Sequence, residues 1–400
     1  MFKLKGKKLS MLCLPAAIML GLTACGDDLS QGVSAITYQD LEQPAGGKPA
    51  EAQPRENTGA AENGSAQERD STEETAVELQ DKKAQEPVTV TISAAGDVSL
   101  GNHQNQEYYS SFRQAYDQTE DDGYFFQNVY DIFSSDDLTL VNLEGTLTYS
   151  QDMLEGQTYC IKGDPEYASL LTGGSVEAVS MGNNHRLDYG EQGSRDTVEA
   201  VEKEGIVYAF DDNVGIYETK GIRIGFVSVN EVYWGAGVEK TLQNGIEKLK
   251  EEQADLIFAC CHWGIEREYY PEDYQKSLGR KCIDWGADLV IGHHPHVLQG
   301  VEEYEGKYIV YSLGNFCFGA NRNPADKDSM IFQQTFTFVD GEKQQEAPVR
   351  VIPCSVSSVS TRNDFIPTPA QDTEKERIMG RINEYSKEFG VEFDEEGYRK

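Results

Sequence analysis

Three of the six histidines in this chain fall within Gly292-His293-His294-Pro295-His296. Neutral imidazole is a ligand for zinc, iron, manganese or nickel. Pro295 fixes the backbone between His294 and His296, so the two can aim nitrogens at one ion. The run Asp288-Leu289-Val290-Ile291 reads as a short buried strand, and Gly292 lets the chain break out of it. That sets the turn at the carboxyl end of a strand, where open α/β sheets place their ligands. One such turn alone is as readily a polar loop holding a chance cluster. The other histidines argue otherwise. His103 follows Ala95-Gly96-Asp97-Val98-Ser99-Leu100-Gly101, His185 ends Met181-Gly182-Asn183-Asn184-His185, and His262 sits in Cys260-Cys261-His262-Trp263-Gly264. Each stretch follows an apolar run that reads as a strand.

The same strand ends carry carboxylates and amides: Asp97, Asn142 with Glu144, and Asn184. Carboxylate, amide and imidazole together are the donors expected for one or two hydrolytic metal ions. Two such ions about 3.5–4 Å apart share a water, lower its pKa and polarise an electrophile. Glu144 is the candidate bridge, and Asp188, three residues after His185, can orient that imidazole. Any one of these Asp or Asn residues alone reads as a helix cap or turn residue. Six strand ends together do not.

The elements that must position them alternate. Strands are expected at 88–92, 138–142, 176–180, 222–229, 255–260, 288–291 and 308–311. Helices are expected at 129–133, 165–171, 191–204, 243–253 and 272–285. Beyond Ser329 the pattern turns to antiparallel strands, expected to form a second sheet. The order is that of a layered α/β fold. Residues 102–127, polar and aromatic without clear period, read as an insertion above the sheet. Ile378, Ile382, Tyr385 and Phe389 fall at helical spacing and read as packing. The cysteines show no CxxC zinc spacing, and Cys260 and Cys261 read as buried thiols.

Taken in order, Gly96-Asp97, Val141-Asn142-Leu143-Glu144, Asn183-Asn184-His185, Leu187-Asp188-Tyr189-Gly190, His262-Trp263-Gly264, Gly292-His293-His294-Pro295-His296 and Tyr311-Ser312-Leu313-Gly314-Asn315-Phe316 form one constellation. It resembles the CapA-type poly-γ-glutamate capsule synthesis family, which is similar in fold to the calcineurin-like metallophosphoesterases. The resemblance covers roughly residues 90–340 and implies a four-layer αββα metallophosphatase-like sandwich with metal at the strand ends. Carried over by position, Asp97 matches the first metal aspartate and Glu144 stands where a bridging aspartate is usual. Asn184-His185 matches a pair whose Asn is a ligand and whose His touches substrate. His262 matches a lone histidine ligand, and His294 with His296 the paired histidines.

Two positions depart from that pattern. Ser99 stands where metallophosphoesterases usually carry a ligand histidine, with His103 a substitute candidate, and Glu144 adds a methylene. Asn142, His293 and His103 are expected to support the ligands from behind. The implied cofactor is one or two divalent ions, manganese, iron or zinc. The implied substrate is an anionic polymer such as poly-γ-glutamate, hydrolysed or transferred at a phosphoester or γ-glutamyl amide. His185 is then the general acid. A non-catalytic polymer-binding scaffold of an export complex is the alternative.

The totals bound the partners. Sixty-eight acidic against 35 basic residues leave a formal charge of −33. Nucleic acid is excluded as a partner, because neutralising phosphates needs Lys and Arg. Residues 1–25 read as an export signal: Lys3, Lys5, Lys7 and Lys8 precede a short apolar core. Leu22-Thr23-Ala24-Cys25 resembles the lipobox of bacterial lipoproteins, which implies lipidation of Cys25 and anchorage on the outer face of the cytoplasmic membrane, beside membrane synthase or export proteins. Residues 26–86, acidic and poor in aromatics, read as a disordered tether. The metallophosphatase-like domain is expected over 87–365, with a helical extension over 366–400.

Overall fold

The computed structural model describes residues 86–400 apart from Glu120 and Glu346. The expected export signal with Cys25, and the tether up to residue 85, lie outside the described residues. The elements that carry and brace the site are β1 (Val88–Ser99), β2 (Leu138–Leu143), β3 (Ala178–Ser180), α1 (Gly190–Lys203), β4 (Ile222–Asn230), α2 (Val238–Glu251), β5 (Leu256–His262), α3 (Asp273–Trp285), β6 (Leu289–His293), β7 (Asn315–Phe318), β8 (Asp328–Val339) and α4 (Asp372–Ser386).

Two sheets face each other. In the nine-stranded sheet, β1 lies between parallel β2 and antiparallel β8, β3 lies beyond β2, and β7 runs parallel against the end of β1. The six-stranded sheet sets β4, β5 and β6 side by side in parallel. Strands buried on both faces read as continuous apolar runs, as Leu-Ile-Phe-Ala-Cys-Cys of β5 does. Alternate residues point to opposite faces, so each strand feeds two cores. Ile92, Leu140, Phe226, Phe258 and Ile291 fill the space between the sheets. Val98, Val141 and Val179 pack outward under Phe112, Phe125, Phe126 and Val201. Val227, Ile257, Ala259 and Val290 pack under Leu242 and Ile246 of α2 and Leu278 and Ile283 of α3. Three cores between four layers make an αββα sandwich.

Register then sets the chemistry. Asp97 is level with Asn142 on one side and Asn315 on the other, and Asn142 is level with Ser180. Across the molecule His262 is level with Asn230 and His293.

Several expectations need correction. The later strands do not build the second sheet; β8 pairs with β1 from Val88↔Phe338 to Ala94↔Phe332, because β1 has an open antiparallel edge that the alternating apolar side chains of β8 can cover. Residues 102–127 are no polar insertion. Their phenylalanines cap the outer face of the first sheet from elements too short to show a period, Phe112–Asp117 and Tyr124–Phe126. Gly292 does not end its strand. It pairs with Cys261 inside β6, where a Cβ would lie 2.0 Å from the carbonyl oxygen of Tyr311. Helix α2 begins at Val238, which shares a buried face with Leu242, Ile246 and Leu249. The segment from 366 onward is woven in: Ile378, Met379 and Ile382 of α4 enter the central core, and Ser386 Oγ accepts from Val301 N at 2.9 Å.

Candidate metal centre

Asp97 lies at the centre of the cluster, fully buried at the end of β1. Its Oδ1 accepts from Asn142 Nδ2 at 2.9 Å and lies 3.3 Å from His293 Nδ1. Its Oδ2 lies 3.1 Å from His296 Nδ1. Burial opposes ionisation, yet the hydrogen bonds from His293 and His296 hold this carboxyl well below the usual carboxylate range.

Glu144, just past β2, is also buried, and its Oε1 lies 3.6 Å from His296 Nε2 and 3.7 Å from His185 Nε2. Neither of its oxygens has a hydrogen-bond partner among the described residues. Burial pushes its carboxyl up to about 7, with His296 pulling against that and Asp97 adding to it. Burial disfavours the charge on His296, but Glu144 and Asp97 raise it to about 10.

His262 and His294 form a neutral pair. His262 Nε2 is 2.8 Å from Asn184 Oδ1, and its ring centroid lies 4.8 Å from that of His294. Burial, with His294 adjacent, depresses His262 well below its ordinary range, and burial with His296 adjacent takes His294 down to about 3. His294 Nδ1 is buried without a partner among the described residues. Asn142 joins the groups, its Nδ2 lying 3.4 Å from His262 Nδ1 while it donates to Asp97. His185 stands at the opening, its side chain 14% exposed, with Nδ1 held 2.7 Å from Asp188 Oδ2. Burial opposes its charge, but Asp188 and Glu144 raise its pKa.

The turn is strained into place. His294 and His296 both adopt positive φ, 96° and 56°, a conformation that costs non-glycine residues on the order of 1–3 kcal/mol and that marks functional turns. The strain divides the pair: His296 faces Asp97 and Glu144, whereas His294 faces His262. The expectation that both aim at one point therefore changes to one imidazole for each half.

Asp97, Glu144, Asn184, His262, His294 and His296 are brought together, with Asn142 and His293 behind Asp97 and with His185 and Asp188 at the mouth. His103 is not. It sits on the short strand Asn102–His103, which pairs with Ile161–Gly163. Its Nδ1 accepts from Asn105 N at 3.2 Å, and its ring meets Tyr159 edge-on. Two residues were missed. Asn315 Oδ1 lies 3.0 Å from His296 Nδ1, and its Nδ2 donates to the His296 carbonyl at 3.2 Å. Asn183 donates to the Leu143 carbonyl at 2.8 Å and so ties the Asn184-His185 turn to β2. Both belong to strand-end motifs, which was the available signal.

The donors fit a divalent cation. Asp97, Glu144 and His296 offer ligand atoms within 4.8 Å of one another. The bare carboxylate of Glu144 and the unpaired His294 nitrogen are the orphaned buried groups that an ion satisfies. A hard–borderline N/O set suits manganese, iron or zinc.

Such a sandwich, with carboxylates and imidazoles converging at the ends of both sheets, defines a metallophosphatase-like protein. A sequence profile of the family described as bacterial capsule synthesis protein PGA_cap matches residues 91–320, and the chain belongs to that family. It is 30% identical over 213 residues to the PGA biosynthesis protein CapA of Bacillus subtilis, covering 48% of this chain and 56% of that protein. It is 27% identical over 281 residues to the capsule biosynthesis protein CapA of Bacillus anthracis, covering 63% of this chain and 65% of that one. The chain thus spans less than two thirds of the length of these relatives. Among solved structures, the 5'-nucleotidase of Candida albicans aligns with 76% of this chain and 58% of its own, at 13% identity and a TM-score of 0.36.

Proposed function

We propose that this chain acts in the synthesis, export or processing of a poly-γ-glutamate-like capsular polymer, through a metal-dependent hydrolase-type site. The observation that carries this reading is Glu144, a buried carboxylate with no hydrogen-bond partner among the described residues, facing imidazoles from two sheets. Asp97, Glu144 and His296 would hold one ion, and Asn184, His262 and His294 a second. Bound there, a divalent ion supplies Lewis acidity toward a phosphoryl or amide oxygen.

The chain's own groups do the rest. Asp188 accepts from His185 Nδ1, which fixes the ring and leaves Nε2 to deliver a proton to the leaving group. Asp188 and Glu144, against the effect of burial, raise the pKa of His185, which favours the form that carries that proton. Trp263 and Tyr311, fully buried behind β5 and β6, back the histidine turns with packed aromatic surface.

The reading includes export by residues 1–25, lipidation at Cys25 and work on the outer face of the membrane, supported by the basic, apolar and lipobox-like order of those residues. No described helix is long and apolar enough to cross a membrane. A polymer-binding scaffold is the second reading. It is favoured by Ser99, a buried hydroxyl without a partner among the described residues, where a ligand histidine is usual.

Elemental analysis of the purified protein beside Glu144→Ala/His294→Ala, with turnover of phosphodiester and γ-glutamyl amide substrates with and without chelator, tests both readings. Stoichiometric metal in the wild type only, with chelator-sensitive turnover, is the expected outcome. Equal metal in both proteins sinks the site. Tight polymer binding with no turnover under any metal favours the scaffold.

A further inference from the structure

Beside the metal centre, a three-stranded sheet of Asn102–His103, Thr146–Leu147 and Ile161–Gly163 floors a pocket of about 230 Å³. Its lining is unusual for so acidic a chain. Lys162 has no carboxylate within ion-pairing range among the described residues. Its Nζ donates to the Ser150 carbonyl at 2.7 Å and sits 4.5 Å from the centroid of the Tyr189 ring. An ammonium has three N–H donors, so two remain. Arg113 meets Asp164, the acidic residue of the lining, only at 4.0 Å. Arg322, outside the lining, donates to the Tyr109 carbonyl at 3.1 Å and also lacks a carboxylate in range among the described residues. Asn102, in the same lining, has a buried Nδ2 without a partner among the described residues. Tyr108 forms a wall, its hydroxyl turned away onto Asp117 at 2.9 Å.

The pocket is tied to the metal centre. Lys162 pairs with Thr146, two residues beyond Glu144, so two Cα steps and one strand spacing put Lys162 within about 12 Å of Glu144. Ile161 N donates to Asp188 Oδ2 at 2.5 Å, and Tyr189 follows directly. A Cβ on Gly163 would lie 1.9 Å from the Leu100 carbonyl oxygen, so the small sheet is butted against the chain leaving β1.

We propose that this pocket is a subsite for a carboxylate of the polymer, gripping the chain about two residues from the bond at the metal centre, since a γ-linked unit has two more backbone bonds than an α-linked one and spans roughly 6 Å. It rests on the polymer reading above. Lys162, Asn102 and Arg113 supply charge-assisted hydrogen bonds, and the Tyr189 ring shields one side of the Lys162 ammonium.

The test uses the full chain, treated with chelator, and a fluorescent γ-linked glutamate decamer as probe. Lys162→Met and Arg113→Met each weaken binding about tenfold, as loss of a charge pair at a partly desolvated site does. Lys162→Arg keeps most of it, and metal content and melting temperature stay at wild-type values. Arg113, on the surface, serves if Lys162→Met does not fold. Unchanged affinity in both Met variants overturns the subsite. So does equal binding of a γ-linked glutamine decamer, or tighter binding of a glycerol-phosphate oligomer. Because binding is read without metal, the subsite can stand where the hydrolase reading fails, and the converse.

Discussion

The two halves of the candidate metal centre differ in charge. Around the end of β1, Asp97 is held ionised, Glu144 titrates near 7 and His296 keeps its proton up to about 10. Around the end of β5, His262 and His294 are depressed to neutral imidazoles and Asn184 is an uncharged amide. Asn142 touches Asp97 and His262, and Asp97 Oδ2 accepts from His294 N at 3.4 Å, so the two halves meet at these two side chains. The first half is a carboxylate pair balanced by a proton, and a cation entering it must displace that proton. The second offers lone pairs already free. Neighbouring imidazoles on one turn thus acquire opposite proton affinities, because carboxylates face His296 while burial, with charged His296 beside it, suppresses the proton on His294.

The largest effect that can break this comparison lies in metal affinity. His294→Ala leaves the carboxylate half, whose ion must release at least one proton. Its affinity rises about 100-fold between pH 6.5 and 8.5, tenfold for each pH unit. His296→Ala leaves the neutral half, whose affinity changes little over that range. Calorimetric titration with manganese or zinc at both pH values reads the two ratios, and equal ratios remove the distinction. Next, Asp188→Asn loses the partner of His185 and lowers turnover by about 10–100-fold while ion content in both halves stays whole. A matching loss of metal would make Asp188 a support of the ligands instead.

Stability of the metal-free protein sharpens the same contrast through its sign. Glu144 titrates at about 7 folded against an ordinary 4.5, so the folded chain holds the extra proton and loses stability as pH rises from 4.5 through 7. His294 titrates at about 3 against 6.5, so its half loses stability as pH falls from 6.5 toward 3. Glu144→Gln removes an unpartnered buried charge. By pH 8 the metal-free variant is more stable than wild type by about 1–3 kcal/mol, an advantage that shrinks toward pH 4.5. Urea denaturation across that range measures it, and an advantage independent of pH contradicts the assignment.

What could be read beforehand follows the same physics. Strands buried on both faces are uninterrupted apolar runs, so the first polar residue after each was visible as a strand end. Asp97, Asn142, Glu144, Asn184, His262 and the 293–296 turn were found that way. Which sheet a strand joins is decided by edges far apart in sequence, so the partnership of β8 with β1 was invisible. His103 misled for a related reason: the chain past Gly101 pairs with Ile161–Gly163 and leaves the site. The split between His294 and His296 depends on two positive φ values, which no residue preference announces at histidine. Asn315 stood in a motif that was visible, but its level with Asp97 comes from a pairing between strands far apart in sequence.

Asn315 supplies the smallest of these tests. Its Oδ1 and Asp97 Oδ2 both lie within 3.1 Å of His296 Nδ1, so the amide shares the work of aiming Nε2 at Glu144. Loss of such an outer hydrogen bond weakens metal binding about tenfold. Asn315→Ala therefore reduces affinity about tenfold in the carboxylate half alone, best seen in a His294→Ala background. In a His296→Ala background it changes nothing, because the ring it orients is gone. A tenfold loss there as well would mean that Asn315 props the whole strand end, and that the two halves are less separate than their charges imply.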